Sequence, residues 1–176
     1  AGNKSVFRVK VDGGLDTAFN DTLSGELATA TSGTGLDDGV TSVVWDGSGY
    51  VIGGYFSNGP GTGAGNKPVF RVKAGGGLDT TFNDTLSGEL ATATSSAGLS
   101  GSVITVVWDG SGYVIGGFFI DGPGTGAGLK RVFRVKADGG LDTTFNNTLS
   151  GELATATSDA GLDTSLRRWS GMGLGM

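Results

Sequence analysis

The sequence predicts an all-β chain built from tandem four-stranded antiparallel repeats of 63 residues, set as a β-propeller-like open arc. Three observations predict it. An LDTxFN motif opens at Leu15, Leu78 and Leu141, at a constant spacing of 63. Residues 2–64 and 65–127 differ at only 14 of 63 positions, and a third copy begins at Gly128. Short β-rich runs alternate with glycine-rich turns inside each copy. Such a unit buries its apolar face against the next copy in series.

Each element follows from its residues. Val40–Asp46 is a β-rich run that ends in Asp-Gly-Ser-Gly, a hairpin-turn composition. Tyr50–Ser57 (YVIGGYFS) is the returning strand, and its nearly continuous apolar character fits a strand covered on both faces. The Gly53-Gly54 step predicts a bulge or a close backbone contact. Asn58–Lys67 is a glycine-rich loop. Pro68–Lys73 alternates, with Phe70 and Val72 on one face and Arg71 and Lys73 on the other. Ala74–Gly77 is a turn. Leu78–Asn83 reads as a fourth strand, placing Leu78, Thr80 and Phe82 on one face. Within the linker Asp84–Ser102, the stretch Leu86–Ser95 reads equally as a short helix or an irregular strand. Four strands in this span have the size of a propeller blade.

The domain boundaries follow the repeat. Residues 1–39 hold a half blade and a linker, with two strands in residues 5–20. Residues 40–102 and 103–165 are blade repeats with linkers. Residues 166–176 break the pattern. A coding string for Val40–Val51, read one base out of frame, gives Leu-Arg-Arg-Trp-Ser-Gly-Met-Gly-Leu-Gly-Met and then a stop, which is the sequence of Leu166–Met176. The tail therefore reads as a frameshifted strand pair, and the chain as a fragment of a longer array. An intertwined β-fibre is the alternative architecture, since it presents similar alternating strands.

VFRVKADGGLDTTFN at Val132–Asn146, with VVWDGSGYVIGGFF at Val106–Phe119 upstream, resembles the bacterial delta-60 repeat. The motif's arginine is Arg8, Arg71 and Arg134, and LDxxF recurs at 15–19, 78–82 and 141–145. The likeness covers nearly the whole chain except the tail. Trp-Asp-Gly-Ser-Gly-Tyr stands where the family has a Pro-Asp-Gly-Lys turn, and the linker is long. The resemblance implies β-propeller-like arrays on large, often exported bacterial proteins, and it implies no shared chemistry.

Composition narrows the function. The net charge is −5, and the few cations recur mainly in the FRVK segments without a basic cluster, which argues against a nucleic-acid partner. There is no cysteine, hence no disulfide framework or thiolate metal site. There is no histidine, the commonest general base. No apolar run approaches the roughly 20 residues of a membrane span. Glu26, Glu89 and Glu152 are identical in every copy, which fits a structural position better than an active site, because a catalytic constellation normally occurs once. No catalytic residue, metal ligand or cofactor is expected.

Four further features invite a site. Gly59-Pro-Gly-Thr-Gly-Ala-Gly65 has a GxGxxG-like spacing, but a strand follows it where a phosphate site needs a helix. Asp12, Asp16, Asp37, Asp38 and Asp46 suggest calcium, yet the second copy has Gly75, Ser100 and Gly101 in three of those places. Asn20, Asn83 and Asn146 open glycosylation-type triplets. The aromatics Trp45, Tyr50, Trp108 and Tyr113 recur per blade and offer a glycan-stacking platform, with inter-blade packing as the plainer role.

The expected function is a non-enzymatic structural or adhesive repeat module. It would belong to a large exported, cell-surface or virion-attached protein and act as a scaffold for protein or glycan contact. The alternatives are a carbohydrate-binding module using the per-blade aromatics and a calcium-stabilised repeat. Expected partners are further repeats of the same array or a homo-oligomer, and a surface glycan. The expected location is extracellular.

Overall fold

The computed structural model describes residues 5–62, 65–94, 98–124 and 131–156. Its elements run α1 (Thr17–Ala30), β1 (Val40–Trp45), β2 (Gly49–Gly54), β3 (Val69–Lys73), α2 (Thr80–Ala93), β4 (Gly101–Trp108), β5 (Gly112–Phe119), β6 (Val132–Lys136) and α3 (Thr143–Ala156). Strands β1–β3 form one antiparallel sheet and β4–β6 a second, each in sequence order. The hairpin lies where the sequence places it, and the returning strand starts there but ends at Gly54, short of the expected Ser57. The tail at 166–176 lies outside the described residues.

Two expectations are corrected. The sheets have three strands instead of four, and a helix begins at the Thr of each LDTxFN motif, so the chain is not all-β. Leu78 makes a single bridge to Val72, as Leu15 does to Val9 and Leu141 to Val135. The chain then turns into a helix. Asp79 is the N-cap of α2, and its carboxylate accepts the Phe82 amide at 3.3 Å. Phe82, Leu86 and Leu90 recur every four residues and are buried together. Strand-like alternation lasts only from Leu78 to Phe82. The four-residue period runs on to Leu90, and the aspartate cap sets where it starts. The same reading dissolves the half blade. Among the described residues, no named strand precedes β1, and residues 5–9 form an extended segment joined to Leu15 by one bridge.

Helices α1 and α2 each cover the sheet that follows them. Phe19, Leu23 and Leu27 of α1 pack with Ile52, Phe56, Phe70 and Val72 of the first sheet. Phe82, Leu86 and Leu90 of α2 pack with Ile115, Phe119, Phe133 and Val135 of the second. Val51 and Val69 point from the opposite face of the first sheet and join that second core. Strands β2 and β3 are thus buried on both faces, which explains the unbroken apolar run of β2, whereas β1 stays half exposed.

Backbones approach closely at this stacking. A Cβ on Gly53 would lie 2.4 Å from Val103 Cγ1, and one on Gly54 would lie 2.2 Å from the Gly39 carbonyl. Thr41, at a register shift in β1, donates to the Val103 carbonyl at 2.7 Å, and Ser42 Oγ accepts the Val106 amide at 2.9 Å. By contrast Gly25, Gly88 and Gly151 sit inside the helices, where an added Cβ meets nothing.

Helix α3 repeats the sequence of α2, but no sheet follows it among the described residues, and its Phe145 and Leu149 are only half-buried. Replacing Phe82 by Ala is expected to cost about 3–5 kcal/mol, and the same change at Phe145 about 1 kcal/mol. Urea unfolding measures both, and equal losses would contradict this order of packing.

Candidate functional site

The richest side-chain cluster is built on the hairpin turn. Asp46 ends β1, and its Oδ1 accepts the amides of Ser48 (2.7 Å) and Gly49 (2.8 Å) and the Ser48 hydroxyl (2.9 Å). These bonds form the turn that DGSG encodes. The other oxygen, Oδ2, accepts Arg71 Nε at 2.9 Å and Nη2 at 2.7 Å. Arg71 Nη2 also donates to Ser48 Oγ at 2.7 Å, and Nη1 donates to Asp79 Oδ2. Gly49 leaves room for the guanidinium, since a Cβ there would meet Arg71 Nη2 at 2.8 Å. One arginine therefore joins the hairpin turn, β3 and the cap of α2.

The next repeat completes the cluster. Tyr113 of β5 donates its hydroxyl to Asp46 Oδ2, and Arg71 Nε lies 3.3 Å from the same hydroxyl. Tyr113 also sets its ring edge against Phe82, with centroids 5.6 Å apart. The second copy repeats the arrangement with Arg134, Asp109, Asp142 and Ser111. Arg8 pairs with Asp16 at 2.6 Å and reaches forward to the Ala74 carbonyl at 2.7 Å.

Electrostatics follow from this enclosure. Burial opposes the charge on Asp46, but the Tyr113 hydroxyl, the Ser48 amide and Arg71 outweigh it and hold the carboxyl well below the usual range. Burial, reinforced by Asp46, pushes the Tyr113 hydroxyl above its ordinary value. Asp109 is held low chiefly by Arg134. Asp46 and Asp109 are thus held as carboxylates, and Tyr113 as a hydroxyl donor.

The glutamates make the second constellation. Glu26 accepts the Leu78 amide, 52 residues ahead, and Glu89 accepts the Leu141 amide at 2.6 Å. Each carboxylate clasps the turn of the following repeat. The same turns bring Gly76 against the Phe19 carbonyl and Gly139 against the Phe82 carbonyl, where a Cβ would lie at 2.5 and 2.6 Å. Sequence reasoning found these glutamates to be structural and missed the partner. The signal was the fixed offset of 52 from each Glu to the next repeat's Leu-Asp.

The other candidates are placed as follows. Trp45 is exposed, Tyr50 and Trp108 are half-buried, and Tyr113 is buried. Trp45 stacks obliquely on Tyr50 at 4.7 Å, and Trp108 on Tyr113 at 4.8 Å. These pairs lie in separate sheets. The Asn83 amide accepts the Arg71 N–H at 2.6 Å and donates to its carbonyl at 3.1 Å, and Asn146 treats Arg134 in the same way. Both side chains are buried, which closes them to glycosylation. Gly61 packs on Ser87 and the Asn83 carbonyl of α2, so the described part of that glycine-rich loop is a packing element. Asp37 accepts the Ser57 amide at 2.9 Å, and Asp16 caps α1. Among the described residues, no group of three or more acidic side chains is set to hold a metal ion, and no helix is long and apolar enough to cross a membrane.

No protein family, no curated protein and no solved structure matches this chain.

The lowered Asp46 carboxyl gives the pH dependence a sign. The unfolded chain binds the proton more tightly, so this stabilisation is complete above about pH 4 and is lost as pH falls further. Tyr113→Phe removes one donor to the buried carboxylate and is expected to cost about 1–3 kcal/mol at neutral pH. Its deficit should shrink below pH 3 as Asp46 is protonated. Thermal melts across that range test this, and a deficit that is constant with pH would count against it.

Proposed function

We propose that the chain is a non-enzymatic structural or adhesive repeat module, a propeller-like stack of sheets that serves as a scaffold for protein or glycan contact. It would form part of a large exported, surface or virion-attached protein of bacterial or phage origin. The delta-60-like strand pair and LDxxF motif belong to this reading. One observation carries it: the groups able to do chemistry are spent on holding repeats together. Asp46, Arg71, Asp79 and Tyr113 bond to one another across a repeat boundary, and Glu26 and Glu89 clasp backbone amides of the following repeat. Their recurrence supports a uniform surface more than a single reactive centre.

Ser48 is the hydroxyl to challenge, because it lies on the surface between Asp46 and Arg71. The full chain is expected to show no turnover on ester, phosphate-ester and glycoside model substrates. Hydrolysis that co-elutes with the protein and disappears in Ser48→Ala would overturn the scaffold reading.

Glycan contact has its own supporting observation, the 46% exposure of Trp45 on a strand that also exposes Val43. On a glycan array, retained signal should fall at least about tenfold in Trp45→Ala, the loss of roughly 1.4 kcal/mol. Undiminished binding by that variant would exclude Trp45 as the platform.

A further inference from the structure

The joint between successive repeats is made twice inside the described chain and stands open at both of its ends. In each closed joint, a helix lays its apolar stripe on the following strand, its glutamate accepts a leucine amide, and its first-turn carbonyl meets a turn glycine. Joint one uses Phe19, Glu26, Gly76 and Leu78, and joint two uses Phe82, Glu89, Gly139 and Leu141. The covered strand residues are dry: Phe70 and Val72 are 0% exposed, as are Phe133 and Val135.

Their counterparts in the segment before α1 are wet. Phe7, Val9 and Leu15 are 65%, 46% and 59% exposed. Gly13, the counterpart of Gly76 and Gly139, also has positive φ, but nothing lies within 4 Å of a Cβ built on it. At the other end, α3 carries Phe145, Leu149 and Glu152 at the positions of Phe82, Leu86 and Glu89. These three line an open groove with Asp142, Thr144 and Thr148. One end therefore offers a helix stripe with a carboxylate, and the other offers an extended segment, a turn glycine and a leucine amide. They are the two halves of the joint already seen inside the chain.

We propose that these halves meet between two copies of this chain, head to tail. The α3 stripe of one copy would seat on Phe7, Val9 and Leu15 of the next. Glu152 would accept the Leu15 amide, and Gly13 would lie against the Phe145 carbonyl. Continuity with the two internal joints identifies the occupant. The contact is heterologous, so it extends into chains of copies without closing as a two-fold dimer. This inference rests on the scaffold reading and names its partner.

The test uses the full chain in sedimentation velocity over a concentration series. Wild-type protein is expected to associate progressively beyond a dimer. Phe145→Glu and Phe7→Glu each spoil one end, place an unpaired charge in the joint and weaken self-association by at least about tenfold. Mixed together, they retain one good end each, so they should form one-to-one dimers and nothing longer. Gly13→Asn gives a second handle. Asparagine tolerates positive φ, and its side chain has free space in the single copy, so this variant should keep the wild-type melt and lose association. A wild type that stays monomeric throughout would overturn the proposal, as would a single variant that associates like wild type or a mixture that forms no dimer. A monomeric wild type lacking turnover would leave the scaffold reading standing, whereas turnover lost in Ser48→Ala would remove that reading whatever the association state.

Discussion

The guanidinium of Arg71 is the constraint on which each repeat depends. It sits between the aspartate that closes the hairpin turn and the aspartate that opens the helix. A bidentate cation between two anions is worth more than an exposed pair, because the geometry is fixed and water is largely excluded. Removing Arg71 would leave the buried Asp46 carboxylate without its cation. The three-strand sheet and the helix that follows it are thus one electrostatic object. Tyr113 then ties that object to its neighbour through the same carboxylate.

The stacking of repeats explains why the copies are so alike. A residue such as Val51 serves its own sheet by hydrogen bonding and the next repeat's core by its side chain. Glu26 serves its own helix by position and the next turn by its carboxylate. A change in one copy is therefore felt in another. Gly53 shows the same limit in a simpler form, because no side chain fits between it and Val103. The positions that differ between copies include the exposed Asp12 and Asp38, but also Thr41 and Ser42, which bond to Val103 and Val106 of the next repeat and stand as Ile104 and Thr105 in the second copy.

Much of this was legible in the residues. The period, the DGSG hairpin, the returning strand and the close approach at Gly53-Gly54 all follow from composition and spacing. The helix is legible only in part: Leu86–Ser95 admits a helix, but Leu78, Thr80 and Phe82 mimic a strand over five residues, and threonine and glycine are poor helix formers. The decisive signal was longer in range: an aspartate cap followed by Phe82, Leu86 and Leu90. Arginine and LDxxF were recognised as a recurrent pair, but their meeting with Asp46 needed the hairpin to fold back by 25 residues. Tyr113 is left open by the sequence, between a glycan-stacking role and the plainer inter-blade packing role. Its burial depends on the neighbouring repeat, which no local pattern encodes.

A glycine in the middle of every helix has a kinetic meaning. Each helix has only 14 residues and includes Gly25, Gly88 or Gly151 with several threonines, a composition that cannot sustain a helix alone in water. Helical order must then be borrowed from the sheet alongside. α2 touches two sheets and is the natural nucleus, from which order spreads outward one unit at a time. A chain of this kind would assemble in the manner of a zipper, with its least secure elements always at the ends.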